Sequence, residues 1–458
     1  MLDLLNRALR YQRIHGTRRL LQEIFNRVKR RKFAPAGALP GFTPVGALPD
    51  AAMPSEDKSW VSLAFGDDHG WVSAREMAQK YIQSRTPLRL FTVPSSQPRR
   101  ISLVTDSINR GSLYGGVGTS MIMAALMAQA TQSRLRIITR TEPAQPAGLQ
   151  IVLKTYGITL THEVEFAYAP AGDPSYEIDC FEDERFITTS WWTTAATLAS
   201  VRSQSITYLL QEDERMFYPY GDEHMRCSQI LGNTDIRFII NTKLLFDHLV
   251  ASGLHNVATH GMWFEPSFPH EVFRPRDRDV GKKRQLLFYA RPHNVRNLFY
   301  FGLELLEAAI DRGIVNLDEW DIVLVGKDIP KLRFDTGRYT AKRLENLSWT
   351  EYAELAGNTD LALCLMYTPH PSYPPFDLAA SGAVVVTNRF ANKQDLSGYS
   401  KNILCGDLQL ESMLTAMASG VALATDAIQR TSNYQSNLLG TDWKASFADV
   451  VRRFEGPR

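Results

Sequence analysis

From Arg100 onward the chain alternates short apolar runs with helical stretches, and this alternation limits its fold more than any other feature. The runs at 101–106 (ISLVTD), 135–140, 186–189, 206–210 and 236–241 are too short for buried helices. They also lack the polar alternation of a half-exposed strand. Such runs suit strands covered on both faces, which calls for parallel sheets with helices above and below. Helices are expected at 119–130 and 243–252, and 151–154 reads as one more strand. The pattern then restarts. Strands are expected at 285–290 (QLLFYA), 321–325 (DIVLV), 344–347, 360–366 (DLALCLM), 383–387 (AVVVT) and 402–405, with helices at 298–312, 352–356 and 376–381. The proline-bearing stretch FEPSFPHEVFRP at 264–275 separates the two series. The expectation is an α/β protein with two Rossmann-like domains, 99–268 and 269–435, and a helical tail at 436–458.

The chain has 458 residues, so each half can bury a full core. Its 44% hydrophobic and 22% charged residues exclude a disordered protein. A net charge of +2 argues against nucleic acid as a partner. Charge is nevertheless concentrated at the N-terminus, where residues 1–33 carry ten basic side chains against Asp3 and Glu23. Leu20, Leu21, Ile24, Phe25 and Val28 recur there at helical spacing. A basic amphipathic helix can attach to an anionic membrane face without crossing it. The alternative is a helix packed on the domain with a solvated basic face. Residues 34–56 are rich in Pro, Gly and Ala and read as a linker; 73–83 reads as a helix, and the compact fold is expected to begin after Pro98. Residues 1–98 are therefore expected to form a basic helical extension and linker. The four cysteines are far apart and form no metal-knuckle or disulfide pattern, which suits free thiols in a reducing compartment. No run approaches the ~20 apolar residues of a membrane span, and no secretory signal opens the chain. A cytoplasmic protein is expected, with contact to the inner membrane face through residues 1–33.

Three loops carry candidate chemistry. The stretch 111–120 (GSLYGGVGTS) follows a strand and opens a helix. Gly115, Gly116 and Gly118 there let the backbone approach a phosphate or sugar at a helix N-terminus, although their spacing is not that of a dinucleotide site. A tight turn that only packs the helix is the alternative. The stretch 290–297 (ARPHNVRN) follows the first strand of the second series. Arg291 and Arg296 can clamp a diphosphate with forked hydrogen bonds and stabilise a leaving nucleotide, with Asn297 beside them. The stretch 367–387 brings Ser372 and Tyr373 to a helix N-terminus, and places Asp377 where it can bind ribose hydroxyls. Asp377 can also be read as a favourable acid in a first helical turn. In the first half, Asp106 ends a strand. Glu212 and Asp213 follow another, near Tyr218 and Tyr220. These suit acceptor binding, or removal of a proton from an acceptor hydroxyl; a surface acidic cluster is the alternative.

Taken together, these segments resemble the glycosyltransferases of the GT-B fold, in particular the large retaining family four. The resemblance makes Arg291 the arginine of that family's diphosphate clamp, with Arg296 or Asn297 in place of its lysine. FDLAASGAVVVT resembles the family's E-x7-E region, with Asp377 at the second glutamate. No residue matches the first glutamate; His370, Ser372 and Tyr373 occupy that loop. Trp349, in LSWTEY at 347–352, falls in the loop usually beside the nucleobase, as a stacking or packing residue. SWWTT at 190–194, YLLQEDERMFYPYG at 208–221, GMWFEP at 261–266 and FYARPHNVRNLF at 288–299 are similar to the WsaF-type rhamnosyltransferases of bacterial surface-glycan assembly. That likeness implies dTDP-L-rhamnose as donor, a glycan acceptor often on a lipid carrier, and neither a metal nor another cofactor. It also implies that the C-terminal helix crosses back to the first domain. Two other readings keep the fold: a sugar-nucleotide epimerase or hydrolase, and a non-catalytic glycan-binding subunit with a degenerate donor site.

Overall fold

A computed structural model describes residues 73–81, 87–109, 115–173, 175–276 and 281–455. The expected helices of 1–33 and the linker of 34–56 lie outside the described residues.

Seven parallel strands form the first sheet: β1 (Arg100–Thr105), β2 (Arg134–Thr139), β3 (Glu165–Tyr168), β4 (Arg185–Thr188), β5 (Ile206–Leu210), β6 (Arg237–Asn241) and β7 (Met262–Phe264). Their spatial order is β3-β2-β1-β4-β5-β6-β7. Six more parallel strands form the second sheet: β8 (Arg284–Ala290), β9 (Trp320–Gly326), β10 (Lys342–Glu345), β11 (Leu361–Leu363), β12 (Val384–Asn388) and β13 (Ile403–Gly406). Their order is β10-β9-β8-β11-β12-β13. In each sheet the chain winds outward from the first strand in one direction, then returns and winds in the other. This is the Rossmann arrangement, and it opens a crevice beyond the carboxyl ends of the strands where the direction reverses. Every residue of β1 and β12 is buried, which explains why their sequences show no polar alternation.

Local signals set the helices that flank the crevice. Helix α1 (Gly116–Ala130) fills the first core with Met121, Met123, Leu126 and Met127. Helix α2 (Pro146–Thr155) follows it. The stretch 151–154, expected as a strand, lies inside α2. Pro146 stands in its first turn, and Leu149 and Val152 bury one face at three-residue spacing, so helical period overrides a short apolar run. Ser190 caps α3 (Trp191–Leu198) in a capping box with Thr193. Ser348 does the same for α4 (Trp349–Gly357) with Glu351. Pro374 and Pro375 begin α5 (Tyr373–Ala380), where a missing N–H does no harm.

The compact fold begins before Pro98, contrary to expectation. Leu88 is fully buried, and strand Arg89–Val93 pairs in parallel with Glu177–Phe181. That strand is mostly exposed, so its sequence carries little apolar signal. At the other end, α6 (Trp443–Glu455) packs on the first domain. Trp443, Phe447 and Val450 join that domain's core, with the Phe447 ring 4.4 Å from that of Phe264. Arg237 of β6 donates to the carbonyl oxygens of Arg453 and Phe454, which satisfies the end of the helix. Among the described residues no helix is long and apolar enough to cross a membrane. All four cysteines are free.

Candidate active site

A cavity of about 1000 Å³ lies between the carboxyl ends of the two sheets. The first domain lines it with residues following β1, β4 and β5, and the second with residues following β8, β9, β10 and β11. Parallel strands all point the same way, so each sheet delivers its strand-end loops to one face.

On the second-domain wall, Arg291 stands one residue beyond β8. Its guanidinium is exposed in the cleft, and its one hydrogen bond among the described residues is a 3.5 Å contact to the Tyr289 hydroxyl. Arg296 stands on the single 3₁₀ turn that follows. It donates to Glu212 of the first domain at 3.2 Å and lies over the Phe217 ring at 4.1 Å. Burial lowers its pKa, opposed by the Glu212 charge.

His370 lies in the loop between β11 and α5, beside Arg296 at the reversal point of the sheet. The backbone N–H of Ser372 donates to its Nδ1 at 3.0 Å, so in the neutral ring the proton is on Nε2. Burial and the nearby Lys393 and Arg296 charges hold its pKa down at about 3. Its buried Nε2 has no partner among the described residues. Tyr373, at the start of α5, crosses to the other domain. Its hydroxyl accepts from Asn241 Nδ2 at 2.7 Å, donates to Gln211 Oε1 at 3.3 Å and meets the Thr119 hydroxyl. Asp377 accepts from the Tyr352 hydroxyl at 3.3 Å, and burial pushes its pKa up to about 8. It is therefore a neutral carboxylic acid near pH 7. Trp349 lines the same end of the cleft, edge-on to Tyr156 and Phe273.

The glycine loop makes room for one side chain of each domain. Gly115 has φ +58°, a left-handed conformation that favours glycine. A Cβ there would stand 3.3 Å from the Tyr373 ring, and one on Gly116 would stand 2.9 Å from Gln211. Gly115, Gly116 and Gly118 all line the cleft, and the first two make room for Tyr373 and Gln211. Residues 111–114 of this loop lie outside the described residues.

On the first-domain wall, both carboxylate oxygens of Asp106 accept from Trp192 Nε1 at 3.0 Å. Burial raises the Asp106 pKa. Glu212 is 8% exposed, and burial pushes its pKa up to about 7 against the pull of Arg296. Glu214 accepts from the backbone N–H of Trp191 at 2.7 Å, and burial raises its pKa to about 8.

Four expected site residues do not line the cleft. Asp213 faces away from it. Burial works to raise its pKa, but hydrogen bonds from His248 and Arg215 outweigh that and hold it at about 2. Tyr218 accepts a hydrogen bond from Trp191 Nε1 at 3.0 Å and packs there. Tyr220 is 93% exposed on the outer surface, against His224. Asn297 is fully buried and donates to the Leu365 carbonyl, which braces the β11 loop against the β8 loop. Alternation along one loop explains the split between Glu212 and Asp213: neighbouring side chains point to opposite sides.

Sequence reasoning did not single out Trp192, Glu214, Phe217 or Lys393. Lys393 is fully buried, donates to the Met366 carbonyl at 3.0 Å, and has its pKa lowered by burial to about 8 against the raising effect of Glu212. It comes to the site from 181 positions beyond Glu212, a distance that a sequence motif cannot bridge.

Residues 100–230 match the family described as WsaF, N-terminal domain, and residues 284–418 match WsaF, C-terminal domain. The two matches take in more than half of the chain. The O-antigen biosynthesis protein RfbC of Myxococcus xanthus is 29% identical over 273 residues, which are 58% of this chain and 20% of that protein. The chain thus spans about a fifth of the length of that curated relative. Among solved structures, TarM superposes with a TM-score of 0.57 at 8% identity, over 79% of this chain and 99% of its own. Sucrose-phosphate synthase from Thermosynechococcus elongatus gives 0.54 at 13% identity, over 78% and 98%. HepE of Anabaena, solved in complex with UDP and glucose, gives 0.53 at 11%, over 78% and 99%. At such identities these likenesses speak for fold, and the fold is the two-domain GT-B arrangement.

Proposed function

Since the chain belongs to the WsaF family, with the fold of GT-B glycosyltransferases, we propose that it transfers a sugar from a nucleotide donor to a glycan hydroxyl in surface-polysaccharide synthesis. The donor we propose is dTDP-L-rhamnose. The observation that carries this reading is the open Arg291 guanidinium at the end of β8. It faces the cleft with no carboxylate within ion-pair distance among the described residues. An unpaired arginine at a strand-end crevice suits a diphosphate, whose oxygens match its fork. The charge that develops on the departing nucleotide then falls on groups already in place.

The other groups fit around that anchor. Arg296 adds a second cation toward the diphosphate. The neutral Asp377 both donates to and accepts from ribose oxygens. Trp349 and Tyr156 wall the end where the base sits. His370 offers its Nε2–H to an oxygen of the donor. Ser372 and Tyr373 hold the loop, and the first domain takes the acceptor between Asp106, Trp192, Phe217 and Glu212. Protein groups alone supply the charge stabilisation in this scheme, so the reaction is proposed to proceed without a metal. Attachment of the acceptor to a lipid and of residues 1–33 to the inner membrane face belong to the same proposal.

The test is release of dTDP from dTDP-rhamnose with and without a glycan acceptor. Acceptor-dependent release, with transfer of the sugar, supports a transferase. Release that ignores the acceptor points to a hydrolase, and no release with any nucleotide sugar points to a glycan-binding protein.

A further inference from the structure

One ion pair crosses the cleft, and it uses one of the two arginines expected at the diphosphate. Arg296 belongs to the β8 loop of the second domain, and Glu212 stands two residues beyond β5 in the first. Arg291 meets no such partner among the described residues. The two cations of one loop are thus in different states: one open, one held.

We infer that Arg296 exchanges partners, leaving Glu212 for the diphosphate of an entering nucleotide, and that the released carboxylate takes up a proton and stands neutral beside the bound donor. This rests on the donor chemistry proposed above. A diphosphate carries more charge than one carboxylate and offers a fork of oxygens, so it competes well for a guanidinium. Glu212 is faced by Arg296 from the β8 loop, Lys393 from beyond β12, the Thr368 hydroxyl from the β11 loop, the Asp213 N–H, and Glu214 on its own stretch. Both cations favour its charged form, yet burial already holds its pKa near 7. Turning Arg296 toward a diphosphate removes one of those cations and makes Glu212 more basic. Lys393 stays behind, enclosed and bound to the Met366 carbonyl.

With nucleotide alone, Glu212 takes its proton from the solvent. Departure of the nucleotide restores the Arg296–Glu212 pair and expels the proton. Donor binding therefore neutralises a carboxylate that would otherwise repel the diphosphate.

The experiment is calorimetric titration with dTDP, slightly above neutral pH, in two buffers of different ionisation heat, which counts protons exchanged per nucleotide. The wild-type protein is expected to take up protons on binding. Glu212→Gln is expected to take up almost none and to bind dTDP on the order of fivefold more tightly, since Arg296 has lost its competitor. A purely structural role would not tighten nucleotide binding. Binding of dTDP to the wild-type protein without proton uptake overturns the exchange while leaving the donor reading intact, and this arm needs no variant to fold. Equal uptake in Glu212→Gln overturns it as well. No binding of dTDP or UDP refutes the donor reading, and the exchange falls with it.

Discussion

The two walls of the cleft share one topology and differ in how their ionisable groups are held. On the first-domain wall, Trp192 holds Asp106 and a backbone N–H holds Glu214. On the second-domain wall, Arg291 reaches only a tyrosine hydroxyl, and His370 Nε2 is buried without a partner among the described residues. A buried donor left unpaired costs about 1–3 kcal/mol. A fold retains such a cost where a ligand supplies the missing acceptor. The contrast therefore puts the charged, oxygen-rich ligand against the second domain. The neutral ligand falls to the first, where Trp192 and Phe217 offer aromatic surface.

The contrast can be broken by experiment. Arg291→Ala is expected to cost the most, about 100- to 1000-fold in kcat/KM for the nucleotide sugar, measured by acceptor-dependent nucleotide release. A loss of that size from an acceptor-side substitution, with Arg291→Ala near wild type, would reverse the assignment of the walls. Asp377→Asn comes next. The folded protein raises the Asp377 pKa from 3.8 to about 8, so the folded state holds a proton that the unfolded state releases between those values. Stability should fall as pH rises through that window and level off above it. Replacing the acid with Asn removes this pH dependence and should stabilise the protein at the upper end of the window by about 2 kcal/mol, less than the ~5 kcal/mol of the full shift because the carboxyl lines an open cleft, read from Tm against pH. His370→Phe is smaller. It deletes the orphan donor but also the acceptor of the Ser372 N–H, so the two effects offset and stability should change by less than about 1 kcal/mol, while binding of the nucleotide sugar weakens more than that of the free nucleotide. Tyr220→Ala, on the outer surface, should change stability by less than about 0.5 kcal/mol and leave transfer unchanged.

The strand runs were legible because burial on both faces removes polar alternation, as in β1 and β12. Short strands with exposed positions were not: β3 (EFAY) and β7 (MWF) give too few residues to show a period. Helix α2 was misread because its apolar cluster is compact while its period spans the whole segment. At the site, a parallel sheet forces its strand-end loops to one face, so Arg291, Arg296, Glu212 and Asp377 could be found from their places after strands. Tertiary tethering could not be read in this way. Asp213 is taken up by Arg215 and His248, and Asn297 by the Leu365 carbonyl. Lys393 and Trp192 enter only because the two chain segments on either side fold together. The glycine loop shows the same limit: its residues are placed as expected, but their small size admits Tyr373 and Gln211.

The most direct test of the central claim is the thermal shift of the wild-type protein and of Arg291→Ala with dTDP, UDP and GDP. A ligand that binds only the folded state adds about 2.7 kcal/mol at a hundredfold excess over its Kd, which is ample to detect. Stabilisation of the wild-type protein by dTDP above the other two, lost in Arg291→Ala, is the predicted result. Stabilisation that survives the substitution, or none with any nucleotide, would contradict the account.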